Sequence, residues 1–192
     1  MIDLLRSRRT VSQGRLQDGA GLDHQVVVEA IESARWAPNH KRTEPWRFYL
    51  LDRSRIARLA GLWAEQLERQ GSKPDKVEAK RREWGEAPGL VVVTCTSAAE
   101  ADEVTQREDY GAVCCAVQNL ALHLWSEGVA SKWSTAGVAE HEGFWPLLGH
   151  SEAPEGARIV ALLFYGLPTE LPAGRRNKAL SEVLVDFRQP GR

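Results

Sequence analysis

Residues 32–48 read ESARWAPNHKRTEPWRF, and this stretch contains the end of a helix, a polar loop and the start of a strand. From Asp23, a suitable N-cap, apolar residues recur at positions i, i+3, i+4 and i+7, which predicts an amphipathic helix running to Trp36 and stopped by Pro38. Asn39 to Pro45 is the loop. The aromatic and long apolar residues from Trp46 to Leu51 then predict a strand.

Helical patterns recur along the rest of the chain. Ser54 is the expected cap of a second helix, with an apolar stripe from Ile56 to Leu67. Residues 71–86 are dense in Lys, Arg and Glu and predict an exposed helical excursion, ended by Pro88. The span from Tyr110 to Trp125 is apolar nearly all round, adjacent Cys114 and Cys115 included, and predicts a helix covered on every side. A short helix is expected over 142–148.

Three further apolar runs predict strands. They are the β-branched run Leu90 to Cys95, typical of a strand buried on both faces, then Ala130 to Thr135, and Arg158 to Tyr165. Strands and helices are mixed without a strict βαβ alternation. We therefore predict one α+β domain over residues 1–192, with helices on both faces of a single sheet.

Composition limits the classes of function. The 192 residues are 43% hydrophobic and 27% charged, close to the globular average, with no apolar run of about 18 residues that could span a bilayer. The net charge of −1 gives no overall field to attract nucleic acid or anionic lipid. Three cysteines and the absence of a secretory signal pattern lead us to expect a cytoplasmic protein that binds neither nucleic acid nor membrane.

Two basic clusters lie at opposite ends of the chain and are candidates for an anion site. Arg6, Arg8 and Arg9 stand near the start, and Arg175, Arg176 and Lys178 near the end. A terminal phosphate could be held between them by charge-assisted hydrogen bonds. The alternative is that both clusters are solvated surface.

The common catalytic motifs are absent from the sequence. There is no GxxxxGK[ST] or GxGxxG phosphate loop, no HExxH or CxxC metal motif and no GxSxG elbow. We therefore expect no metal site and no side-chain catalytic constellation. A cofactor that carries its own reactivity needs few catalytic residues.

The stretch 32–48 resembles the nitroreductase family pattern, in which a helix ends in Ala-Pro and a loop ends in Gln-Pro-Trp before a strand. Other stretches agree with that family in order and spacing, so that the resemblance covers nearly the whole chain. They are Ser7 to Thr10, Ala87-Pro88, Gln118 to Leu120, Trp133 to Gly137, the strand from Ile159 to Gly166, and the tail from Lys178 to Val183.

The resemblance implies a nitroreductase-like α+β fold with a mostly antiparallel central sheet, and a homodimer that holds FMN at the subunit interface. It also implies that NAD(P)H gives hydride to FMN and leaves, and that a small acceptor such as a nitroaromatic or quinone takes its place in a ping-pong cycle. FMN would carry the chemistry, so no side chain is expected to be catalytic.

The resemblance assigns cofactor-binding roles to matched positions. One subunit would hold the phosphate and ribityl chain with Arg8 and Thr10, with Arg9 nearby, and Arg176 and Lys178 of the tail would close on the phosphate. The backbone around Trp133, Ser134 and Thr135 would face the flavin ring. The other subunit would line the site with Trp36, Pro38, Asn39 and His40. For Trp36 and Trp133 the alternative is ordinary core packing, and for His40 a solvent-exposed position.

One position departs from the family pattern. Many relatives place a basic residue four positions after the first Arg of the opening motif, where it offsets charge on N1 of reduced flavin, but this chain has Ser12. Either Lys41 or Arg42 substitutes, or the reduced flavin is less stabilised.

Other functions remain open at this stage. The same fold performs dehalogenation and flavin destruction, and a flavin-binding sensor or interaction module without turnover would show the same motifs.

Overall fold

The computed structural model describes residues 1–19 and 22–188 and contains six α-helices and five strands in that part of the chain. The helices are α1 Ile2–Ser7, α2 His24–Ala34, α3 Arg53–Arg69, α4 Pro74–Gly85, α5 Glu103–Ser126 and α6 Phe144–Leu147. The strands are β1 Leu16–Gln17, β2 Trp46–Leu51, β3 Gly89–Thr96, β4 Ala130–Ser134 and β5 Ala157–Pro168. Short 3₁₀ turns lie at Gln13–Arg15, His40–Arg42, Gly137–Glu140 and Leu180–Glu182.

The strands form one antiparallel sheet around β5. The order across the sheet is β4, β5, β3, β2, and the two-residue β1 pairs with the end of β5. β3 pairs with β5 along its length, with a register shift between Val93 and Thr94. Residues 89–95 of β3 are all buried, as expected for a β-branched run covered on both faces. The predicted α+β class and antiparallel sheet are confirmed.

Helices cover both faces of this sheet. On one face, α2 and α5 pack with Val91, Val93 and Ala161. On the other face, α3, α4 and α6 pack with Leu90 and Leu162. Residues that alternate along β3 thus belong to opposite cores, because successive side chains of a strand point to opposite faces. This confirms the predicted three-layer arrangement.

Most element boundaries follow the sequence patterns, with one change of cap. β2 has the predicted bounds, and Asp23 caps α2 by accepting from the Gln25 backbone N–H at 2.9 Å. The predicted cap of α3, Ser54, is wrong. Asp52 is the cap and accepts from the Arg55 N–H at 2.8 Å, so the helix begins at Arg53.

Helix α5 is longer and less covered than its apolar pattern predicts. It begins at Glu103, and Asp102 is its N-cap. The apolar pattern does not predict the first two turns, because those turns are polar. Within one chain, a stripe at i, i+4 and i+7 stays exposed, formed by Gly111, Cys115 and Gln118. The expectation that both adjacent cysteines are buried is wrong for Cys115, which faces outward, whereas Cys114 is half-buried.

Candidate functional site

The two basic segments from opposite ends of the chain meet in space. α1 ends at Ser7, and the tail after β5 returns to the residues that follow it. Together they enclose a surface cavity of about 180 Å³, lined by Arg6, Arg9, Gly174, Arg175 and Arg176. We call these four arginines, with the adjoining Arg8, the arginine cluster. Lys178 is exposed and does not line the cavity.

The arginine cluster brings like charges together without a neutralising carboxylate. Burial lowers the pKa of Arg8 from its ordinary value, and the positive charges of Arg176 and Arg9 lower it further. Arg9 donates to the backbone carbonyls of Arg6 at 2.5 Å and Arg8 at 2.9 Å. Within residues 1–19 and 22–188, none of the five arginines takes part in a salt bridge. Free guanidinium donors around a small cavity suit a phosphate group.

Gly174 allows the tail to approach the cluster closely. A Cβ at this position would overlap the guanidinium of Arg9. A larger residue here would therefore require the Arg9 side chain to move from its place at the cavity.

The N-terminal segment also runs beside β4, beginning at the start of the strand. Thr10 forms a bridge with Ser131, and the Val11 N–H donates to the Ser131 carbonyl at 3.2 Å. Gln13 of the same segment lies farther along the strand, where its Nε2 donates to Oγ of Ser134 at 3.3 Å. The segment from Thr10 to Gln13 therefore runs along β4 from Ser131 to Ser134, and Arg8 and Arg9 precede it in the chain. The indole of Trp133 is 38% exposed and donates to the carbonyl of Val160 at 2.9 Å.

The loop after α2 lies elsewhere. Trp36 is 80% exposed in the single chain, which rules out core packing there. Pro38 is exposed and Asn39 half-buried. His40 is exposed, yet its Nδ1 lies 2.6 Å from a carboxylate oxygen of Glu108 on α5.

This loop carries backbone strain that α5 holds in place. Lys41, Arg42 and Glu44 have φ of 55°, 54° and 44°, in the left-handed region that non-glycine residues avoid. Between them, Thr43 donates to Oδ1 of Asp109 at 2.6 Å, and Asp109 is 3% exposed. The apolar patterns do not indicate Asp109, although an acidic residue one position before an apolar helical run is a signal for a buried polar contact.

Helix α5 separates the two groups of expected site residues. The loop contacts Glu108 and Asp109, near the start of the helix, whereas Trp125 donates to Oγ of Ser7, beside the arginine cluster, at 3.0 Å. At about 1.5 Å of rise per residue, these anchor points are roughly 24 Å apart. A single chain therefore places the segment that carries Arg8, Arg9 and Thr10 beside β4, but it does not bring Trp36, Pro38, Asn39 and His40 to the same place.

The described residues support neither of two other kinds of site, a nucleophilic cysteine and a metal site. Burial, with the negative charge of Asp109, raises the pKa of Cys95 to about 11, so its thiol stays protonated and is not a nucleophile. Across the described residues, no group of three or more His, Cys, Asp or Glu side chains is placed to hold a metal ion. In the same part of the chain, no helix combines the length and the apolar character needed to cross a membrane.

Comparisons with known proteins agree with this architecture. A sequence model described as the nitroreductase family matches residues 5–166. YfhC of Bacillus subtilis (strain 168), named as an NAD(P)H nitroreductase, is 26% identical over 190 residues, which are 96% of this chain and 93% of the relative.

Two solved structures share the fold over nearly their full length. A nitroreductase-like family protein from Bacillus cereus has a TM-score of 0.77 and 25% identity, covering 98% of this chain and 96% of that one. A protein from Desulfovibrio desulfuricans, solved in complex with FMN, has a TM-score of 0.73 and 20% identity, covering 98% and 97%.

The contact between Thr43 and Asp109 predicts a stability effect. Thr43→Val keeps the side-chain shape but removes the donor to a buried carboxyl group, and we expect the free energy of unfolding to fall by about 1 to 3 kcal/mol. Thr43→Ser keeps the hydroxyl and is the matched control. Urea denaturation at one fixed protein concentration measures both variants. Equal stabilities for the Val and Ser variants would contradict the assigned hydrogen bond.

Proposed function

This chain belongs to the nitroreductase family, and from that premise we propose that it is an oxidoreductase with one FMN-binding domain, which transfers hydride from NAD(P)H to a small acceptor such as a nitroaromatic or quinone. The observation that carries the proposal is the arginine cluster. Its guanidinium groups meet around a small cavity without carboxylate partners in the described residues, and Thr10, the residue after Arg9, bridges to Ser131 of β4.

The residues present fit FMN. Arg6, Arg9 and the tail arginines would hold the phosphate, while Arg8 adds positive charge and the Thr10 hydroxyl a further donor. The backbone from Trp133 to Thr135 would face the ring. FMN accepts and releases hydride, and the protein's share is binding, orientation and exclusion of water.

A second copy of the chain would complete the site. The exposed stripe of Gly111, Cys115 and Gln118 runs along α5 between the two separated groups. If two α5 helices pack antiparallel through this stripe, the loop of residues 36–40 of one copy lies beside the arginine cluster of the other. We therefore propose a homodimer with FMN at the interface, because a two-fold axis makes each copy supply both halves.

The proposed reaction is ping-pong. NAD(P)H and the acceptor would use the same place beside bound FMN at different times. The protein needs no acid or base of its own for this exchange, which agrees with the lack of a catalytic side-chain constellation in the sequence.

A flavin assay tests the activity. We expect the purified protein to be yellow, to release one FMN per chain on denaturation, and to bleach anaerobically with NADH or NADPH, because hydride reduces the ring. Colour should return on adding a quinone, and initial rates should give parallel double-reciprocal lines. A colourless protein that takes up no added FMN would contradict the proposal. Bound FMN that is bleached by neither NADH nor NADPH would indicate a flavin-binding sensor without turnover.

The dimer has a separate test. Light scattering at micromolar concentration should give twice the chain mass of 21.4 kDa. Cys115→Arg places a charge on the α5 stripe and should shift the protein toward monomer and reduce FMN retention, since an uncompensated charge is costly in an interface. Arg58→Ala, at an exposed position on α3, should change neither. Wild type at monomer mass with FMN bound would contradict the dimer.

The phosphate role of the cluster is tested by comparing FMN with riboflavin, which lacks the phosphate. Hydrogen bonds to charged groups contribute roughly 1.5 to 3 kcal/mol, so Arg9→Ala and Arg8→Ala should each weaken FMN binding by about one to two orders of magnitude. Riboflavin binding should change little in either variant, and Arg58→Ala serves as the control. Fluorescence titration gives the affinities. An unchanged preference for FMN over riboflavin in Arg9→Ala would refute the phosphate contact.

A further inference from the structure

A second cavity lies where the first turns of α5 meet the start of β5, and it shares no lining residue with the cavity of the arginine cluster. Its volume is about 300 Å³. The lining residues are Glu103, Gln106, Arg107 and Tyr110 of α5 and Arg158 of β5. The four helix positions recur at a spacing of three or four residues and so share one face of α5. None of these five residues has a role in the proposed flavin site.

Arg158 is oriented by hydrogen bonds that fix the side-chain amide of Gln106. The Nε2 of Gln106 donates to the carbonyl of Ala101 at 2.9 Å, so its Oε1 is free to accept from Nη2 of Arg158 at 3.0 Å. A guanidinium group carries five N–H donors in one plane. This bond to a neutral amide holds Arg158 at the cavity, and the guanidinium forms no other side-chain hydrogen bond with the described residues. Its remaining donors are therefore available to a ligand.

The lining of this cavity carries more positive than negative charge. Arg107 and Arg158 are cations, and Glu103 is the anion of the lining. In the described part of the chain, none of these three residues takes part in a salt bridge. Guanidinium groups bind carboxylates through parallel hydrogen bonds in a plane. The excess of one positive charge favours a ligand with a single carboxylate over a doubly charged phosphate.

Tyr110 gives the cavity a flat apolar wall. Its side chain is 37% exposed, and burial of the rest raises the pKa of its phenol, which therefore stays neutral. The ring of a ligand can pack on the ring of Tyr110 and on the planar guanidinium groups, which also stack on aromatic faces. A cavity of this volume is at the lower end of the range for small-molecule sites, and it suits a ligand with one ring.

We propose that this cavity binds a small aromatic acid with one carboxylate. Arg107 and Arg158 hold the carboxylate, Tyr110 packs on the ring, and Gln106 is the positioning residue for Arg158. The inference goes beyond the proposed function and does not rest on it, because the cavity is formed without any residue assigned to FMN.

The test is a calorimetric titration of the full-length wild-type protein with phenylacetate and with phenylacetamide, which has nearly the same shape but no charge. We expect phenylacetate to bind at least about tenfold more tightly than phenylacetamide, because hydrogen bonds between charged groups are stronger than those to a neutral amide. Acetate, which has the carboxylate but no ring, should bind more weakly than phenylacetate.

Variants assign the binding to the cavity. Arg158→Met should weaken phenylacetate binding by about tenfold and reduce the preference over phenylacetamide. Arg158→Lys keeps the charge but not the planar donors, and its affinity should fall between those of wild type and Arg158→Met. Gln106→Leu keeps both arginines but frees Arg158, so it should give a smaller loss. Arg58→Met removes one charge from the exposed surface of α3 and is the matched control, with the wild-type affinity expected.

The inference is overturned if wild type does not bind phenylacetate, if acetate binds equally well, or if Arg158→Met keeps the wild-type affinity. An equal loss in Arg58→Met also overturns it. If Arg158→Met does not fold, Arg107→Met decides: it should show a similar loss, and an unchanged affinity overturns the inference. The titration does not depend on a flavin signal. Its failure therefore leaves the proposed FMN site standing, and a protein that takes up no FMN still tests this cavity.

Discussion

The length of α5 is the constraint on which the candidate site depends. The helix has 24 residues and packs between the sheet and α2, so it acts as a rigid spacer. The strained loop is attached near its start, and the segment that leads into the arginine cluster is attached near its end. Because a packed helix does not shorten, no rearrangement inside one chain can bring these groups together. In the proposed dimer, a second chain would bring them together by packing on the open stripe of the same helix.

Charge repulsion within the arginine cluster is the second constraint on the candidate site. Five like charges in one place repel one another, and the described residues offer backbone carbonyls rather than carboxylates in return. The tail that brings Arg175 and Arg176 to the cavity gains little from apolar burial, since Leu180, Val183 and Phe187 are 72%, 63% and 93% exposed in the single chain. The proposed FMN phosphate would neutralise the arginines, and the proposed partner chain would cover the exposed apolar side chains of the tail.

The sequence predicts the strands, the layers and the two basic segments, because these depend on local patterns of apolar and charged residues. The length of α5 was underestimated, since the turns that follow Asp102 are polar and depend on a cap. The hydrogen bond from Lys132 to Gln13 could not be foreseen because it joins residues 119 positions apart. The left-handed backbone of residues 41, 42 and 44 also could not be foreseen, since strain at non-glycine residues is imposed by distant contacts such as that of Thr43 with Asp109.

All the arginines of the cluster come from one chain, and this has a consequence for the order of assembly. If the proposed site is correct, a single folded chain would already have every arginine that binds the terminal phosphate, whereas enclosure of the ring would need the partner chain. Cofactor binding would then precede dimer formation. A ligand that binds the folded form stabilises it by mass action. Cellular flavin supply would then act on how much protein matures, and starvation for the vitamin would leave unpaired chains with their apolar tails uncovered.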